Sequence, residues 1–191
     1  MKDKFIFFDR DGTLIEEVDF LSTVSETKLF PFTIEALQIL KENGFRFAVT
    51  TNQSGVARGY FDESAVFAIH DRIQELLSVA GLVIDSFHFC PHMPDAGCDC
   101  RKPGTGMIIQ ATKIFDIDLG ESWVIGDKKL DIGMGINAGT KTALVETGYG
   151  AEHANLLESK PNIIAANLLE AARLIAHGEQ RESRMAKGRK E

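Results

Sequence analysis

Residues 5–14, with the sequence Phe-Ile-Phe-Phe-Asp-Arg-Asp-Gly-Thr-Leu, join a continuous apolar run to two closely spaced carboxylates and a glycine. An apolar run bounded by a turn signal predicts a strand that is buried on both faces of a sheet. Open α/β sheets bind their ligands beyond the carboxyl ends of the strands, so Asp9 and Asp11 are predicted to lie at a ligand site. Carboxylates this close repel each other unless a cation or a proton lies between them. On this segment alone, a surface turn rich in aspartate is an alternative interpretation.

Composition and charge limit the classes of function. With 44% hydrophobic and 26% charged residues, the 191-residue chain has the composition of an ordinary globular protein. The net charge of −7 argues against a general binder of nucleic acid or of an anionic membrane, although a metal and local cations still permit an anionic substrate. No apolar run reaches transmembrane length, and Met1-Lys2-Asp3 leads into the first strand without a secretory segment. We therefore expect a cytoplasmic, monomeric protein.

The pattern of strands and helices predicts an α/β fold with a mainly parallel sheet. Beyond the first strand, strand patterns occupy residues 45–50, 83–89, 122–126, 141–145 and 162–165. Helix patterns occupy residues 33–43, 62–80, 103–115 and 168–175, and a weaker one follows residue 131. We expect one domain over residues 1–177.

Three smaller expectations concern segments outside these elements or on their surfaces. Residues 15–30 have mixed polarity and are predicted to form a flap over the ligand site. Residues 178–191 contain few apolar side chains and are predicted to be a disordered tail. His70 is predicted on the surface or rim of the second helix, because no metal-ligating residue stands three or four positions from it.

Polar groups follow two further strands of the predicted sheet. Small hydroxyl and amide side chains come directly after the second strand, at Thr51, Asn52, Gln53 and Ser54. They suit phosphate binding, although a polar turn between a strand and a helix is also common. Asp127 follows the strand at 122–126 and brings a third carboxylate to the same edge, as an oxygen-ligand Mg²⁺ site requires.

The three cysteines of the chain lie in one short window that follows the third strand. Cys90, His92, Cys98 and Cys100 make a Cys₃His set, which is typical of a structural zinc site. The alternative is a cluster of free thiols on an exposed loop, which is a liability for a protein. Arg101 and Lys102 come immediately after this loop, so the loop is predicted to position both cations. A solvated basic pair is the alternative interpretation.

The motifs together resemble those of the haloacid dehalogenase superfamily: Asp-x-Asp-Gly-Thr at Asp9–Thr13, a Thr at Thr51, a Lys at Lys102, and Gly-Asp-x-x-x-Asp at Gly126–Asp131. The resemblance covers roughly residues 4 to 150. It implies a Rossmann-like three-layer fold without a large cap domain, in which the zinc loop takes the place of the cap.

The resemblance also implies a mechanism and a set of ligands. Asp9 would be the nucleophile of a phosphatase and Asp11 its general acid and base. Mg²⁺ would be held by Asp9, by a main-chain carbonyl at Asp11 and by Asp127. The remaining implied contacts are to phosphate or substrate, from Thr51, Asn52, Gln53, Ser54, Arg101, Lys102 and Lys128, the two lysines also offsetting negative charge.

Within the superfamily, the cysteine-rich loop is similar to that of two groups of phosphatases. One acts on the 7-phosphate of D-glycero-D-manno-heptose 1,7-bisphosphate, and the other acts on histidinol phosphate. The short interval between His92 and Cys98 favours the histidinol group, whereas residues 51–59, 104–107, 126–128 and 147–148 favour the heptose group. We expect the heptose substrate.

Two features leave alternatives open. Residues 18–21 read Val-Asp-Phe-Leu where the heptose enzymes usually carry a Gly-Tyr-Val-like segment, so contacts to the sugar are expected to differ. A zinc-stabilised binding domain without catalysis, or a phosphotransferase or mutase, could use the same fold. The clustered carboxylates argue against the binding domain, because a binding module has no physical reason to hold so many like charges together.

Overall fold

The computed structural model describes residues 2–188, which form one parallel sheet with helices on both faces. In chain order the elements are β1 (Lys4–Phe8), α1 (Thr33–Glu42), β2 (Phe45–Asn52), α2 (Glu63–Ser78), β3 (Ser86–Cys90), α3 (Gly106–Thr112), β4 (Trp123–Gly126), α4 (Lys129–Ala138), β5 (Lys141–Val145), α5 (Gly150–His153), β6 (Ile163–Ala165) and α6 (Leu168–Gly188). The strand order is β3-β2-β1-β4-β5-β6, and every pair is parallel. The predicted α/β fold is confirmed.

Strand β1 is central because it is apolar on both faces. Side chains alternate across a strand, so Ile6 and Phe8 enter the core beneath α1, α2 and α6, whereas Phe5 and Phe7 enter the core beneath α3 and α4. All four side chains are fully buried. The sheet and the helices on its two faces make the three layers of the fold. The two cores between them fix the end of β1, which Asp9 follows directly.

Two predicted elements have different boundaries in the structure. The third strand begins at Ser86 and not at residue 83, because Val83 is exposed and the Ile84 amide donates to the Gln74 side chain at 2.8 Å. The helix predicted from residue 103 begins at Gly106, where its backbone amide donates to the Asp99 carbonyl at 2.9 Å. The residues before Gly106 form a loop that leads out of the cysteine-rich segment.

The prediction that His70 lies on the surface is wrong. The His70 ring is 4% exposed and stacks on Phe87, with 4.6 Å between ring centroids. It shares the buried face of α2 with Val66, Ile69 and Ile73, at the three- and four-residue spacing of a helix. Burial, with the nearby charge of Arg10, lowers the pKa of His70 to about 3, so the ring is neutral and serves as a core aromatic.

The last helix continues past Gly178, the point from which the sequence predicts a disordered tail. It runs to Gly188, and the Lys4 ammonium group pairs with Glu179. Residues 178–188 have a helix-favouring composition despite their polarity, and this explains the difference. The final residues of that prediction, 189–191, lie outside the described residues.

Two segments beside the carboxyl edge of the sheet complete the architecture. Residues 15–30 form the predicted flap, which contains a short 3₁₀ turn at Val24–Glu26 and is anchored by buried Leu21. Residues 91–105 form the cysteine-rich loop between β3 and α3. Over residues 2–188, none of the helices combines the length and the apolar character that crossing a bilayer requires.

Candidate active site

Three buried carboxylates meet at the carboxyl edge of the sheet. Asp9 follows β1, Asp127 follows β4, and Asp131 lies in the first turn of α4. One oxygen from each lies within 4.8 Å of the others, and none of the three side chains is more than 7% exposed. The Asp127 Oδ1 atom is buried without a hydrogen-bond partner among the described residues. A bound cation at this point would supply the missing partner.

The electrostatics of the cluster also favour a cation. Burial and the charges of Asp9 and Asp131 raise the pKa of Asp127 to about 8. Burial raises the pKa of Asp131 as well. Three carboxylates at this distance therefore take up a proton at neutral pH unless a positive charge compensates them. A divalent ion with oxygen ligands fits the residues present.

Lys102 is the cation that joins two of these carboxylates. Its ammonium group donates to Asp9 Oδ1 at 2.7 Å and to Asp131 Oδ1 at 2.6 Å, and its side chain is 3% exposed. Burial alone would lower the pKa of Lys102, but the charges of Asp131 and Asp9 raise it above the usual range. In return, the charges of Lys102 and Lys128 outweigh the effect of burial on Asp9 and lower its pKa. Asp9 is therefore held as an anion.

Lys128 joins the carboxylate cluster to the flap. Its ammonium group lies 3.6 Å from Asp127 Oδ2 and 3.1 Å from Glu17 Oε2, and it sits 4.8 Å from the centre of the Tyr149 ring. The Tyr149 hydroxyl donates to Asp19 Oδ1 at 3.1 Å. The contacts of Lys128 with Glu17 and of Tyr149 with Asp19 thus hold one side of the flap over the cleft.

The Asp11 carboxylate does not belong to the three-carboxylate cluster. Arg10 donates to both of its oxygens at 3.0 Å, and Gln53 Nε2 donates to Oδ2 at 3.0 Å. The Arg10 side chain is almost fully buried, so this is a desolvated and bidentate pair. The family resemblance implies that a main-chain carbonyl at Asp11 binds Mg²⁺. This assignment is compatible with the pairing of the Asp11 side chain with Arg10, and it stays a prediction.

Close backbone approach explains two glycines around Asp127. Gly12 and Gly148 both have positive φ, and a Cβ atom at either position would overlap the Asp127 carboxylate. The next amide along, at Tyr149, donates to Asp127 Oδ2 at 2.9 Å. Only glycine combines this backbone conformation with so little space, so the two turns enclose Asp127.

The polar residues after β2 line the other side of the cleft. The buried Thr51 hydroxyl accepts a hydrogen bond from Gln53 Nε2 at 2.9 Å, and Asn52 Oδ1 accepts one from the Lys102 backbone amide at 3.1 Å. Ser54 lines the same cleft. The predicted phosphate-binding group thus lies beside Asp9 and Asp11, and Asn52 fixes the backbone from which Lys102 extends.

The cysteine-rich loop brings its four predicted ligands together. The Cys90 Sγ atom lies 3.6 Å from Cys98 Sγ and 3.5 Å from His92 Nδ1, while Cys100 Sγ lies 3.2 Å from His92 Nδ1 and 3.5 Å from Cys98 Sγ. Tetrahedral zinc, with bonds of about 2.3 Å to sulfur and about 2.0 Å to nitrogen, places ligand atoms about 3.5 to 3.8 Å apart. The donor set and its spacing therefore fit one zinc ion. Beyond this cluster, Arg101 donates to the His92 carbonyl at 3.2 Å.

Asp9, the residues after β2 and the flap surround one cleft of about 280 Å³, and the cysteine cluster lies outside it. Its walls include Asp9, Asp11, Lys102 and Lys128 at the base and the flap residues from Glu17 to Leu21 at the mouth. A buried anionic nucleophile, a second carboxylate beside it and two lysines suit transfer of a phosphoryl group, which needs charge neutralisation more than covalent chemistry.

The sequence interpretation missed several residues of this cleft. Arg10 could have been found from the sequence, because a cation between two carboxylates at the end of a buried run needs an ionic partner. Asp131 was placed in a motif but given no role, although it contacts Lys102. Glu17 had no signal, because flap positions follow no periodic pattern. Asp19 and Phe20 lie in the segment 18–21, which was expected to contact the sugar, but neither residue was given a role.

Three comparisons agree on the relationship of this chain to known proteins. A HAD-hydrolase-like family model matches residues 99–171. D-glycero-beta-D-manno-heptose-1,7-bisphosphate 7-phosphatase of Pasteurella multocida is 40% identical over 169 residues, which cover 82% of this chain and 92% of that protein. The D-glycero-D-manno-heptose-1,7-bisphosphate 7-phosphatase of Thermosynechococcus vestitus is 38% identical over 184 residues, covering 89% of this chain and 94% of that one.

A solved structure shows the same similarity in three dimensions. The D,D-heptose 1,7-bisphosphate phosphatase from Bordetella bronchiseptica, complexed with magnesium and phosphate, superposes with a TM-score of 0.85 at 32% identity. The match covers 92% of this chain and 99% of that structure. The chain therefore belongs to the haloacid dehalogenase superfamily of phosphatases, and within it to the family of the D-glycero-D-manno-heptose-1,7-bisphosphate 7-phosphatases.

Proposed function

We propose that this protein is an Mg²⁺-dependent phosphatase that removes the 7-phosphate of D-glycero-D-manno-heptose 1,7-bisphosphate. The observation that carries the proposal is the buried Asp9, held as an anion by Lys102 at 2.7 Å, within the cluster that Asp127 and Asp131 complete. The substrate is proposed from the relatives that are named for this reaction. The roles of the residues are proposed from the family resemblance, and the charges and contacts of the cleft support them.

Asp9 is proposed as the nucleophile. A carboxylate oxygen of Asp9 attacks phosphorus, the bond from phosphorus to the sugar oxygen breaks, and an aspartyl-phosphate forms. Lys102 suits this step because its hydrogen bond keeps Asp9 ionised and its charge faces the incoming phosphate. Thr51, Asn52, Gln53 and Ser54 line the same cleft, and this supports the proposal that they bind the non-bridging phosphate oxygens.

Asp11 is proposed as the general acid and base. In its protonated form it gives its proton to the departing sugar alkoxide, and as a carboxylate it then takes a proton from the water that attacks the aspartyl-phosphate. This water forms a new bond to phosphorus, the bond to Asp9 breaks, and inorganic phosphate leaves. In the structure Arg10 donates to both oxygens of Asp11 and Gln53 donates to one of them, so one oxygen has to leave Arg10 before it can carry the proton to the alkoxide.

Two metals complete the proposal, and each suits its residues. Mg²⁺ would be held by Asp9, Asp127 and a main-chain carbonyl at Asp11, where it neutralises charge that develops on the phosphoryl group. Zn²⁺ would be held by the Cys₃His cluster, whose four ligands close the coordination sphere and leave no position for a substrate. The role of zinc is then structural: it shapes the loop that leads into Arg101 and Lys102.

Histidinol phosphate is the second candidate substrate, favoured by the short interval between His92 and Cys98. Turnover of both anomers of heptose 1,7-bisphosphate and of histidinol phosphate, measured as phosphate release with Mg²⁺, separates the two. We expect the highest kcat/KM with a heptose bisphosphate. Asp9→Asn serves as the control for contaminating phosphatases. A higher kcat/KM for histidinol phosphate would overturn the substrate assignment while leaving the mechanism intact.

A further inference from the structure

The cysteine-rich loop holds every cysteine of this chain, and two of the three are open to solvent. Cys98 and Cys100 are partly exposed, whereas Cys90 is fully buried at the end of β3. Cys98 also lines an open cavity of about 820 Å³ whose walls do not include Asp9. A small oxidant can therefore reach the Cys98 sulfur without entering the active-site cleft.

The three sulfur atoms are close enough to react with one another. Cys98 Sγ is the central one, at 3.6 Å from Cys90 Sγ and 3.5 Å from Cys100 Sγ. A disulfide requires about 2.0 Å between its sulfur atoms and a torsion angle near about 90° around the bond. A single residue separates Cys98 from Cys100, which leaves the backbone little freedom to reach that geometry. Cys90 and Cys98 stand eight positions apart, so we expect this pair to form the bridge.

The backbone between Cys98 and Lys102 has no room to absorb a movement of Cys98. The carbonyl of Asp99, the residue after Cys98, accepts a hydrogen bond from the Gly106 amide at 2.9 Å. A Cβ atom at Gly104 or at Gly106 would overlap this carbonyl, so the turn is packed tightly around it. A displacement of Cys98 therefore moves the Asp99 carbonyl and with it the segment that carries Lys102.

Cys90 is connected to the other wall of the cleft. Its carbonyl accepts a hydrogen bond from the Gln53 amide at 2.7 Å. The Gln53 side chain donates in turn to Asp11 Oδ2 at 3.0 Å and to the Thr51 hydroxyl at 2.9 Å. The two cysteines that can form a bridge thus reach the active site by separate routes, one through Lys102 and the other through Gln53.

We propose that the cysteine-rich loop is a redox switch, in which a peroxide links Cys98 to Cys90 and the enzyme loses zinc and activity until a thiol reduces the bridge. The inference goes beyond the proposed phosphatase function and rests on the zinc site proposed with it. The thiolate is both the form of cysteine that binds a metal and the form that peroxides oxidise. The same sulfur atoms can therefore hold zinc or react, but they cannot do both.

The reaction with hydrogen peroxide takes place in two steps. The Cys98 thiolate attacks one peroxide oxygen, the O–O bond breaks, and a sulfenic acid forms while the released hydroxide takes up a proton to give water. The Cys90 thiolate then attacks the Cys98 sulfur, the S–O bond breaks, and a second hydroxide leaves and becomes water. Two electrons pass from the sulfur atoms to the peroxide, and the disulfide remains.

The bridge removes two of the four zinc ligands. His92 and Cys100 alone do not make the closed tetrahedral set of a structural zinc site, so the ion is expected to leave. The loop then loses the geometry that holds Lys102 in place. A shift of about 1 Å in a positioning group costs about a hundredfold in rate, and we expect a loss of this size. Thiol–disulfide exchange with dithiothreitol, followed by zinc, should reverse it.

The test treats the zinc-loaded, full-length protein with hydrogen peroxide. Zinc release is followed with a chromogenic chelator, thiols are counted after unfolding, and turnover is measured as phosphate release from the best substrate of the parent enzyme. Asp95 and Asp99 separate the three cysteines, so a protease that cleaves before aspartate places each on its own peptide. We expect the loss of two of the three thiols, a link between the Cys90 and Cys98 peptides, and release of zinc, all in step with an about hundredfold loss of turnover.

Two controls isolate the effect of the bridge. A zinc-selective chelator with Mg²⁺ in excess should lower turnover without peroxide, and zinc alone should then restore it, whereas the oxidised protein should need dithiothreitol as well. Met93→Leu is the matched variant, because it removes the methionine of the same loop, and it should respond to peroxide as the parent does. Methionine sulfoxide is not the product that dithiothreitol reverses here, since its repair requires dedicated reductases.

The outcomes separate the switch from the phosphatase assignment. Turnover that falls while all three thiols remain, or that stays unchanged once the bridge has formed, would show that there is no switch. A loss that dithiothreitol and zinc do not reverse would show the same. Protein that contains no zinc as purified would overturn the zinc site and the switch together, with the assignment of Asp9 and Asp11 unaffected. A parent enzyme that prefers another phosphate ester would overturn only the substrate, since the switch is then followed with that ester.

Discussion

Replacing Lys102 by methionine tests how strongly the stability of the folded protein depends on the ion pairs that Lys102 makes with the carboxylate cluster. Methionine keeps the length and most of the volume of lysine but removes the positive charge. Lys102 is 4% exposed and lies within hydrogen-bonding distance of both Asp9 and Asp131. Removing one partner of a buried ion pair costs about 3 to 5 kcal/mol, because the remaining charge stays buried and uncompensated. We expect the free energy of unfolding to fall by about 3 kcal/mol at pH 7.5 without Mg²⁺.

The loss should depend on pH in a defined direction. Without Lys102, burial and mutual repulsion raise the carboxylate pKa values in the folded state above those in the unfolded state. A group with a raised folded-state pKa contributes stability at low pH and loses that contribution as the pH rises through its folded value. The difference between Lys102→Met and the parent should therefore be smaller at pH 5 than at pH 7.5. Turnover should fall by about a hundredfold or more, as when one charge-stabilising donor is lost from an active site.

Urea unfolding followed by circular dichroism, at both pH values and with EDTA or Mg²⁺, measures these changes. Asp131→Asn in the Lys102→Met background should recover part of the stability, since it removes one of the unpaired charges. Lys2→Met is the control, because its pair with Asp116 is exposed and 3.7 Å long. A Lys102→Met protein within about 0.5 kcal/mol of the parent at pH 7.5 in EDTA, below the cost of any broken buried pair, would refute the reasoning.

Three further predictions follow from the same site. Asp9→Asn should abolish phosphate release without changing the circular dichroism spectrum, because it removes the nucleophile at nearly constant volume; parental turnover would contradict the mechanism. Cys98→Ser should lower the zinc content, measured by elemental analysis, and lower turnover about a hundredfold. The reason is that a shift of about 1 Å in the segment that holds Lys102 misplaces its charge. A zinc-free variant with full activity would show that zinc does not position Lys102. In EDTA the contribution of Asp127 to stability, measured as the difference between the parent and Asp127→Asn, should be lost as pH rises from about 4 to about 8, the interval between the usual carboxyl pKa and that of Asp127. The comparison with Asp127→Asn is needed because the lowered pKa of His70 makes total stability rise with pH up to about 6.5. Mg²⁺ should reduce this loss, and a difference that does not change over the interval would show that Asp127 is already compensated.

The elements with simple patterns were predictable from sequence. Strand β1 could be predicted because a short apolar run that ends at a turn signal is typical of a strand covered on both faces. Asp9 and Asp127 could be assigned to one edge because parallel strands end on the same side of a sheet. The four cysteine and histidine residues lie within eleven positions, so their proximity needed no knowledge of the fold.

The remaining features depend on contacts between distant segments. The burial of His70 could not be inferred from its own helix alone, since its main contact is Phe87 on β3. The pairing of Lys102 with Asp131 joins a loop to a helix in another part of the chain. The strained backbone at Phe20 has no sequence signal, because phenylalanine is not a residue that usually marks positive φ.

The proposed zinc and magnesium sites differ in how their ligands are spread along the chain. The Cys₃His ligands span residues 90–100, so an unfolded chain can still gather them around an ion. The proposed magnesium ligands come from Asp9, Asp11 and Asp127 and meet only when β1 and β4 are paired. A metal that binds the unfolded chain stabilises the fold by less than its affinity for the native state implies. Zinc is thus expected to organise its loop early in folding and to stabilise the fold by less than its affinity for the native site, whereas magnesium affinity reports completed pairing of the central strands.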